Sequence, residues 1–388
     1  MLKTDLPLFK LRNKSILPVV QGGMGVGVSA HRLAGTVAGC GAMGTISSVD
    51  LRRRHADLME ETGRCLDPAM INRANLTALD REISAAKTLA NGQGVVAVNI
   101  MRAVSEYEPY VRQACASGAD AVVVGAGLPL DLPELTSEHP DVALIPILSD
   151  VRGIGLLVKK WMRRNRLPDA IVIEHPRYAG GHLGAARIED VADKRFDFEG
   201  VLGGVADLFR ELGIEREKIP LIPAGGINSP SRLRNLLGMG ASAVQLGTAF
   251  AVTEEGDAHP HFKQVLAEAK PEDIVTFMSV AGLPARAVRT PWLDRYLNRE
   301  ERLQSHAAPR QRCIMAFDCL IQCGLRDGLA KFGQFCIDNQ LAAALRGDKE
   351  KGLFFRGSER LPFGEAIRPV RELLQYLLNP APVPLAGD

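Results

Sequence analysis

The chain reads as an α/β protein built on a (β/α)8 barrel. Three observations predict this: eight short apolar runs, helical segments between them, and glycine-rich stretches where the runs end. The runs are residues 18–21, 42–46, 95–100, 121–125, 143–148, 170–174, 220–224 and 243–247. Most are unbroken Val, Ile, Leu and Ala, the pattern of parallel strands covered on both faces. Residues 75–90, 106–117, 153–164, 198–212 and 229–237 lie between strands and carry helical spacing. Strands alternating with helices over roughly 250 residues fit a closed barrel better than a doubly wound sheet.

With 388 residues, 46% of them hydrophobic, the chain can bury a large core. A net charge of +2 gives no argument for nucleic acid, and the basic run 159–166 reads as a solvated helix face. Neither a leader pattern nor an apolar run near the roughly 18 residues of a membrane span is seen, so a cytoplasmic location without membrane contact is expected. Composition divides the chain into a barrel over 1–258, a mainly helical insertion over 259–345, and a return to the barrel shell over 346–388. There, residues 369–378 place Val370, Leu373, Leu374, Leu377 and Leu378 on one helix face, and 379–384 form an extended tail.

In such a barrel the chemistry lies where strands end. Strand one runs into Gln21, Gly22, Gly23 and Met24, and strand six into Glu174 and then Gly180, Gly181 and His182. Strand seven runs into Gly225 and Gly226, and strand eight into Gly247 and Thr248. Glycines ending strands seven and eight, next to helix N-termini, are placed to cradle a phosphate with backbone N–H groups. His182 sits among glycines, an imidazole brought close to a flat ligand as a proton-transfer group. His175 reads equally as a structural or a functional histidine, and Asp150 reads better as a helix N-cap than as a site residue.

Four of the seven cysteines, Cys313, Cys319, Cys323 and Cys336, fall within 24 residues. Clustering in a cytosolic chain argues for metal over disulfides. The spacing C-x5-C-x3-C-x12-C is neither a zinc ribbon nor a common ferredoxin run. Four thiolates suit a [4Fe–4S] cluster or Zn²⁺, while Cys319 and Cys323, four apart, also suit one packed helix face. Cys40, Cys65 and Cys115 are isolated and read as packed or exposed thiols. Arg286, Arg289, Arg295, Arg299, Arg302, Arg310 and Arg312 form either a positive surface for an acidic partner or ordinary solvated surface.

Segments 18–24 (Pro-Val-Val-Gln-Gly-Gly-Met), 179–184 (Ala-Gly-Gly-His-Leu-Gly), 222–227 (Ile-Pro-Ala-Gly-Gly-Ile) and 240–248 (Gly-Ala-Ser-Ala-Val-Gln-Leu-Gly-Thr) resemble the FMN-binding signatures of the nitronate monooxygenase superfamily of TIM barrels. That group also contains flavin-dependent enoyl-ACP reductases and NADH:quinone reductases. The resemblance implies FMN, with its phosphate at Gly225, Gly226, Gly247 and Thr248 and its ring near Gly22, Gly23 and Met24. It also implies polar contacts from Asn99, Glu174 and Gln245, the Gly180–Gly181 loop beside the flavin, and His182 as the base.

The cysteine-bearing extension departs from the shorter members. Segments 319–328 (Cys-Leu-Ile-Gln-Cys-Gly-Leu-Arg-Asp-Gly), 335–338 (Phe-Cys-Ile-Asp) and 352–357 (Gly-Leu-Phe-Phe-Arg-Gly) are similar to the FMN/[4Fe–4S] acyl-ACP dehydrogenase/isomerases of unsaturated fatty acid synthesis. What this implies is 2,3-dehydrogenation of a saturated medium-chain acyl-ACP and trans-2 to cis-3 isomerisation, with His182 taking the α-proton and the flavin the β-hydride. It also implies a [4Fe–4S] cluster on the four cysteines. The alternatives are oxidation of alkyl nitronates with FMN and O2, and NAD(P)H-dependent enoyl-ACP or quinone reduction. Implied partners are accordingly acyl carrier protein or a small nitronate, O2 or another electron acceptor, and a second copy in a homodimer.

Overall fold

The computed structural model describes residues 2–310, 313, 315 and 317–379. Arg312 and the tail expected over 380–384 lie outside the described residues. All eight expected strands form: Val19–Gln21, Met43–Ser47, Val95–Met101, Ala121–Gly125, Ala143–Leu148, Ile171–Glu174, Leu221–Ala224 and Val244–Leu246. They close in chain order into one parallel barrel, the eighth strand pairing with the first so that Leu246 stands opposite Gln21.

Strand periodicity explains both the core and the site. Every second side chain points inward, and Val95, Ala97, Ala121, Val123, Ala143, Ile145, Ala170 and Val172 fill the interior with small apolar groups. The opposite column, Val96, Val98 and Ile100 among it, packs against the outer helices. Continued by two, the inward columns reach polar groups at the C-terminal rim. Asn99 follows Ala97, Glu174 follows Val172, and Gln245 follows Ala243. Register sets them in one layer: Glu174 stands opposite Ala224, Ala224 opposite Gln245, and Ser47 opposite Asn99. At the other end an antiparallel hairpin, Phe9–Leu11 with Lys14–Ile16, inserts Phe9, Leu11 and Ile16 into the interior cluster. The sequence reading missed this plug.

The outer helices include Pro68–Ala90, Tyr107–Ala116, Val151–Met162, Phe198–Glu211 and Pro230–Gly238. Asp150 caps Val151–Met162, its carboxylate accepting from the Gly153 amide at 2.7 Å. In the basic run Lys159, Lys160 and Arg163 are exposed, while Trp161 is fully buried and its Nε1 donates to the Pro129 carbonyl at 3.2 Å. Among the described residues no helix is long and apolar enough to cross a membrane.

Helix His31–Gly39 has no side-chain cap of its own. Asp257, in the loop beyond strand eight, supplies one across the fold: its carboxylate accepts from the Ala30 and Leu33 amides at 2.8 and 3.0 Å. This bond pair joins the segments that follow the first and last strands. Because both bonds are buried and charge-assisted, Asp257→Ala is expected to destabilise the fold by about 2–3 kcal/mol. A lower urea midpoint at unchanged slope would show it.

Beyond the barrel come helices Pro260–Glu268, Pro291–Leu297, Glu300–Ser305, Gly324–Asp327 and Ile337–Leu345. The expectation of a mainly helical insertion leaves out a hairpin, Ile274–Met278 with Pro284–Val288. Its second strand pairs antiparallel with Gly181–His182. Arg53, after strand two, pairs with Asp50 and reaches Asp338 of Ile337–Leu345 at 2.5 Å, tying this region to the barrel mouth. The chain then returns through Phe354, whose carbonyl accepts from Val288, to helix Val370–Leu378. All five apolar side chains named for that helix are buried.

Candidate active site

A cavity of about 620 Å³ opens at the C-terminal rim of the barrel. It is lined by every residue the sequence proposes for flavin binding and by His182. Gly22, Gly23 and Met24 come from the end of strand one, Asn99 from strand three and Glu174 from strand six. Gly180, Gly181 and His182 come from the loop after strand six, Gly225 and Gly226 from strand seven, and Gln245, Gly247 and Thr248 from strand eight.

The strand-seven and strand-eight loops are built to hold an anion. Among the described residues, the amides of Gly225, Gly226, Gly247 and Thr248 donate to no other group of the chain. Four neighbouring N–H groups without internal acceptors are open to an anionic ligand. Thr248 Oγ1 is engaged differently, accepting from the Gly357 amide at 3.0 Å. The cavity volume, these amides and the polar layer of Asn99, Glu174 and Gln245 fit the mononucleotide that the sequence implies.

His182 is the one imidazole among the described residues lining the cavity. Its Nε2 is buried with no hydrogen-bond partner, and its ring lies 5.7 Å from that of Phe355. Burial alone pushes its pKa down to about 4, so the imidazole is neutral near pH 7. Glu174 moves oppositely. Burial raises its pKa to about 7, against the pull of the Arg286 guanidinium.

His175 is structural. It is buried, its Nε2 lies 3.2 Å from Asp197, its Nδ1 accepts from the Arg177 amide at 3.3 Å, and its ring meets Tyr178 and Phe198. Asp150 both caps its helix and lines the cavity.

The four cysteines are only partly brought together. Cys319 lines the cavity, whereas Cys313, Cys323 and Cys336 do not. Burial pushes the thiols of Cys319, Cys323 and Cys336 up, and for each of them other members of the set add to the rise, which places the group in one neighbourhood. Among the described residues, however, no three Cys, His, Asp or Glu side chains converge closely enough to hold a metal ion. No chemical step is therefore derived through a cluster.

Sequence reasoning passed over Ser47, Ser149 and Tyr178 in the lining, and Leu320, Ile337, Leu341, Leu353 and Phe355 from beyond the barrel. Ser47 was open to discovery, since it continues the inward column of Met43 by twos. The arginine surface also needs correction. Arg286 is buried and bonded to backbone carbonyls, while Arg289 and Arg295 pair with Asp294 and Glu350.

A family model described as nitronate monooxygenase matches residues 10–379. The probable nitronate monooxygenase of Bacillus subtilis is 25% identical over 288 residues, which are 71% of this chain and 78% of that one. That of Staphylococcus saprophyticus is 26% identical over 141 residues, and the match spans only 36% of this chain and 38% of its relative. Among solved structures, FabK from Thermotoga maritima superposes with a TM-score of 0.62 at 22% identity, covering 93% of this chain and 91% of that one. At that identity the likeness concerns the fold.

Proposed function

Because the chain belongs to the nitronate monooxygenase family, it is an FMN-dependent oxidoreductase, and we propose that it oxidises alkyl nitronates with O2, with His182 as the base that forms the nitronate when the substrate arrives as the neutral nitroalkane. The observation carrying this reading is the neutral imidazole with an unpartnered, buried Nε2 inside a cavity framed by glycine loops. Gly225, Gly226, Gly247 and Thr248 would hold the FMN phosphate, with the ring near Gly22, Gly23 and Met24 and polar contacts from Asn99, Glu174 and Gln245. When bound, FMN supplies the electron acceptor of the reaction. His182 takes the α-proton of a neutral nitroalkane at Nε2, and so forms the nitronate inside the site. The apolar walls keep water from competing for that proton.

A second reading is favoured by one observation. The cavity continues past the barrel along Leu320, Ile337, Leu341, Leu353 and Phe355, room suited to an alkyl chain longer than a small nitronate needs. On that reading the substrate is a medium-chain acyl group on acyl carrier protein, and His182 takes the thioester α-proton while bound FMN would take the β-hydride, then moves a γ-proton to Cα; a [4Fe–4S] cluster on Cys313, Cys319, Cys323 and Cys336 would require those thiols to close on one position.

The test is oxygen uptake by the FMN-loaded protein with an alkyl nitronate, alongside anaerobic flavin bleaching by saturated acyl-ACP and by NADH, and an iron analysis. Uptake with the nitronate and no bleaching by acyl-ACP is expected. Bleaching by acyl-ACP in an iron-containing protein without nitronate turnover would transfer the assignment to the second reading. Rapid bleaching by NADH alone would make the protein an enoyl-ACP or quinone reductase.

A further inference from the structure

The loop that carries His182 is held from outside the barrel. Between its start at Pro176 and its end at Leu183, anchors come from the extension strand Pro284–Val288 and from Ser358 of the returning chain, whose amide and hydroxyl donate to the Tyr178 and Arg177 carbonyls, each at 3.2 Å. On the far side the ladder sets Ala285 opposite His182 and Arg286 opposite Gly181, and the Leu183 amide donates to the Pro284 carbonyl at 2.8 Å. On the near side the buried Arg286 guanidinium donates through Nη1 to the Pro176 carbonyl at 2.9 Å and the Ala179 carbonyl at 2.6 Å. Gly180 completes the fit: a Cβ there would lie 2.4 Å from the backbone of Arg356, so the loop presses directly on the returning chain. Arg286 is also the charge that faces Glu174, and its other acidic neighbour is Glu359.

We propose that Arg286 is the positioning residue of this site, fixing the loop that presents His182 and supplying the positive charge that Glu174 faces. The proposal rests on His182 being the base. A guanidinium suits both tasks, since it stays charged when buried and offers several donors in a fixed fork. Acting through the loop and not on the substrate, it should influence turnover more than substrate affinity. Small misplacements of a reacting group cost about a hundredfold in rate.

Three measurements on the full chain test it: turnover of a neutral nitroalkane by the FMN-loaded protein, hydrogen exchange of the Gly181 and Leu183 amides in the apoprotein, and ¹³C titration of the Glu174 carboxyl. Arg286→Met is expected to lower kcat about a hundredfold with KM changed less than about threefold. The same variant should exchange those amides at least tenfold faster and titrate Glu174 at higher pH. Arg286→Lys, which keeps the charge and a donor, should restore the Glu174 titration and part of the rate. If Arg286→Met does not fold, Arg286→Gln keeps a donor and loses the charge, so slower turnover and the raised Glu174 titration are still required. A folded variant lacking the charge that retains wild-type kcat, exchange and titration overturns the proposal. Undiminished turnover of the neutral nitroalkane in His182→Ala would instead defeat the underlying reading, and the exchange data would stand apart from it.

Discussion

His182→Ala is expected to retain FMN and to lose about 10²- to 10⁴-fold in kcat with a neutral nitroalkane, the range associated with removing a positioned general base. Flavin should remain because the proposed phosphate contacts come from strands seven and eight and the substitution leaves Gly180 and Gly181 of the histidine loop in place. The loss should fall on proton transfer, since Nε2 has no partner in the chain and Ala offers nothing in its place. Supplying a preformed nitronate, which has already lost its α-proton, should therefore recover most of the rate, while the neutral nitroalkane should not. If the variant turns over both forms as the wild type does, His182 is not the base.

The same residue fixes the sign of a pH effect on stability. Burial holds the folded-state pKa of His182 near 4, below its ordinary 6.5, so between those values the unfolded chain binds the proton that the folded chain refuses. This group's contribution is complete above about 6.5 and is lost as pH falls toward 4. Glu174 runs the other way, because its folded pKa is raised from 4.5 to about 7 and stability is lost as pH rises through that interval. Removing the imidazole should therefore flatten the acid side alone. Urea midpoints of His182→Ala and the wild type should converge above pH 6.5 and separate in favour of the variant toward pH 4.

The barrel and its rim were legible because both depend on short-range regularities. A strand buried on two faces writes itself as a continuous apolar run, whereas Asn99, Glu174 and Gln245 came from the family resemblance and only the structure shows them continuing the inward columns at the mouth. Gly180, Gly181 and His182 stood out because an ionisable group between glycines is a local pattern. What stayed hidden depends on distant chain segments. Nothing near Arg286 in sequence shows that it meets Pro176 and Ala179, over one hundred positions earlier, and seven arginines in the extension look alike until burial separates them. His175 and His182 differ in the same way, since Asp197 and Phe198 satisfy one while the cavity leaves the other bare. The hairpin carrying Phe9 went unread because its strands span three residues each, too short for a period to show.

Gly226→Val is expected to raise the dissociation constant for FMN at least tenfold. Gly226 has φ of 71°, where a β-branched residue pays about 1–2 kcal/mol in backbone strain. A Cβ there would also stand 2.9 Å from Cγ of the Tyr178 ring, and moving that ring disturbs the segment leading to Ala179 and Gly180. Either response turns the Gly225 and Gly226 amides away from the phosphate, so strain in the free protein becomes lost binding in the complex. Gly238, on the helix that follows, is the matched control: a Cβ there meets nothing within 4 Å and its φ is ordinary, so Gly238→Ala should bind FMN as the wild type does. Fluorescence titration of the apoproteins with FMN reads both. Equal affinity in all three would show that the strand-seven glycines do not hold the phosphate, and would leave the strand-eight amides of Gly247 and Thr248 to do so alone.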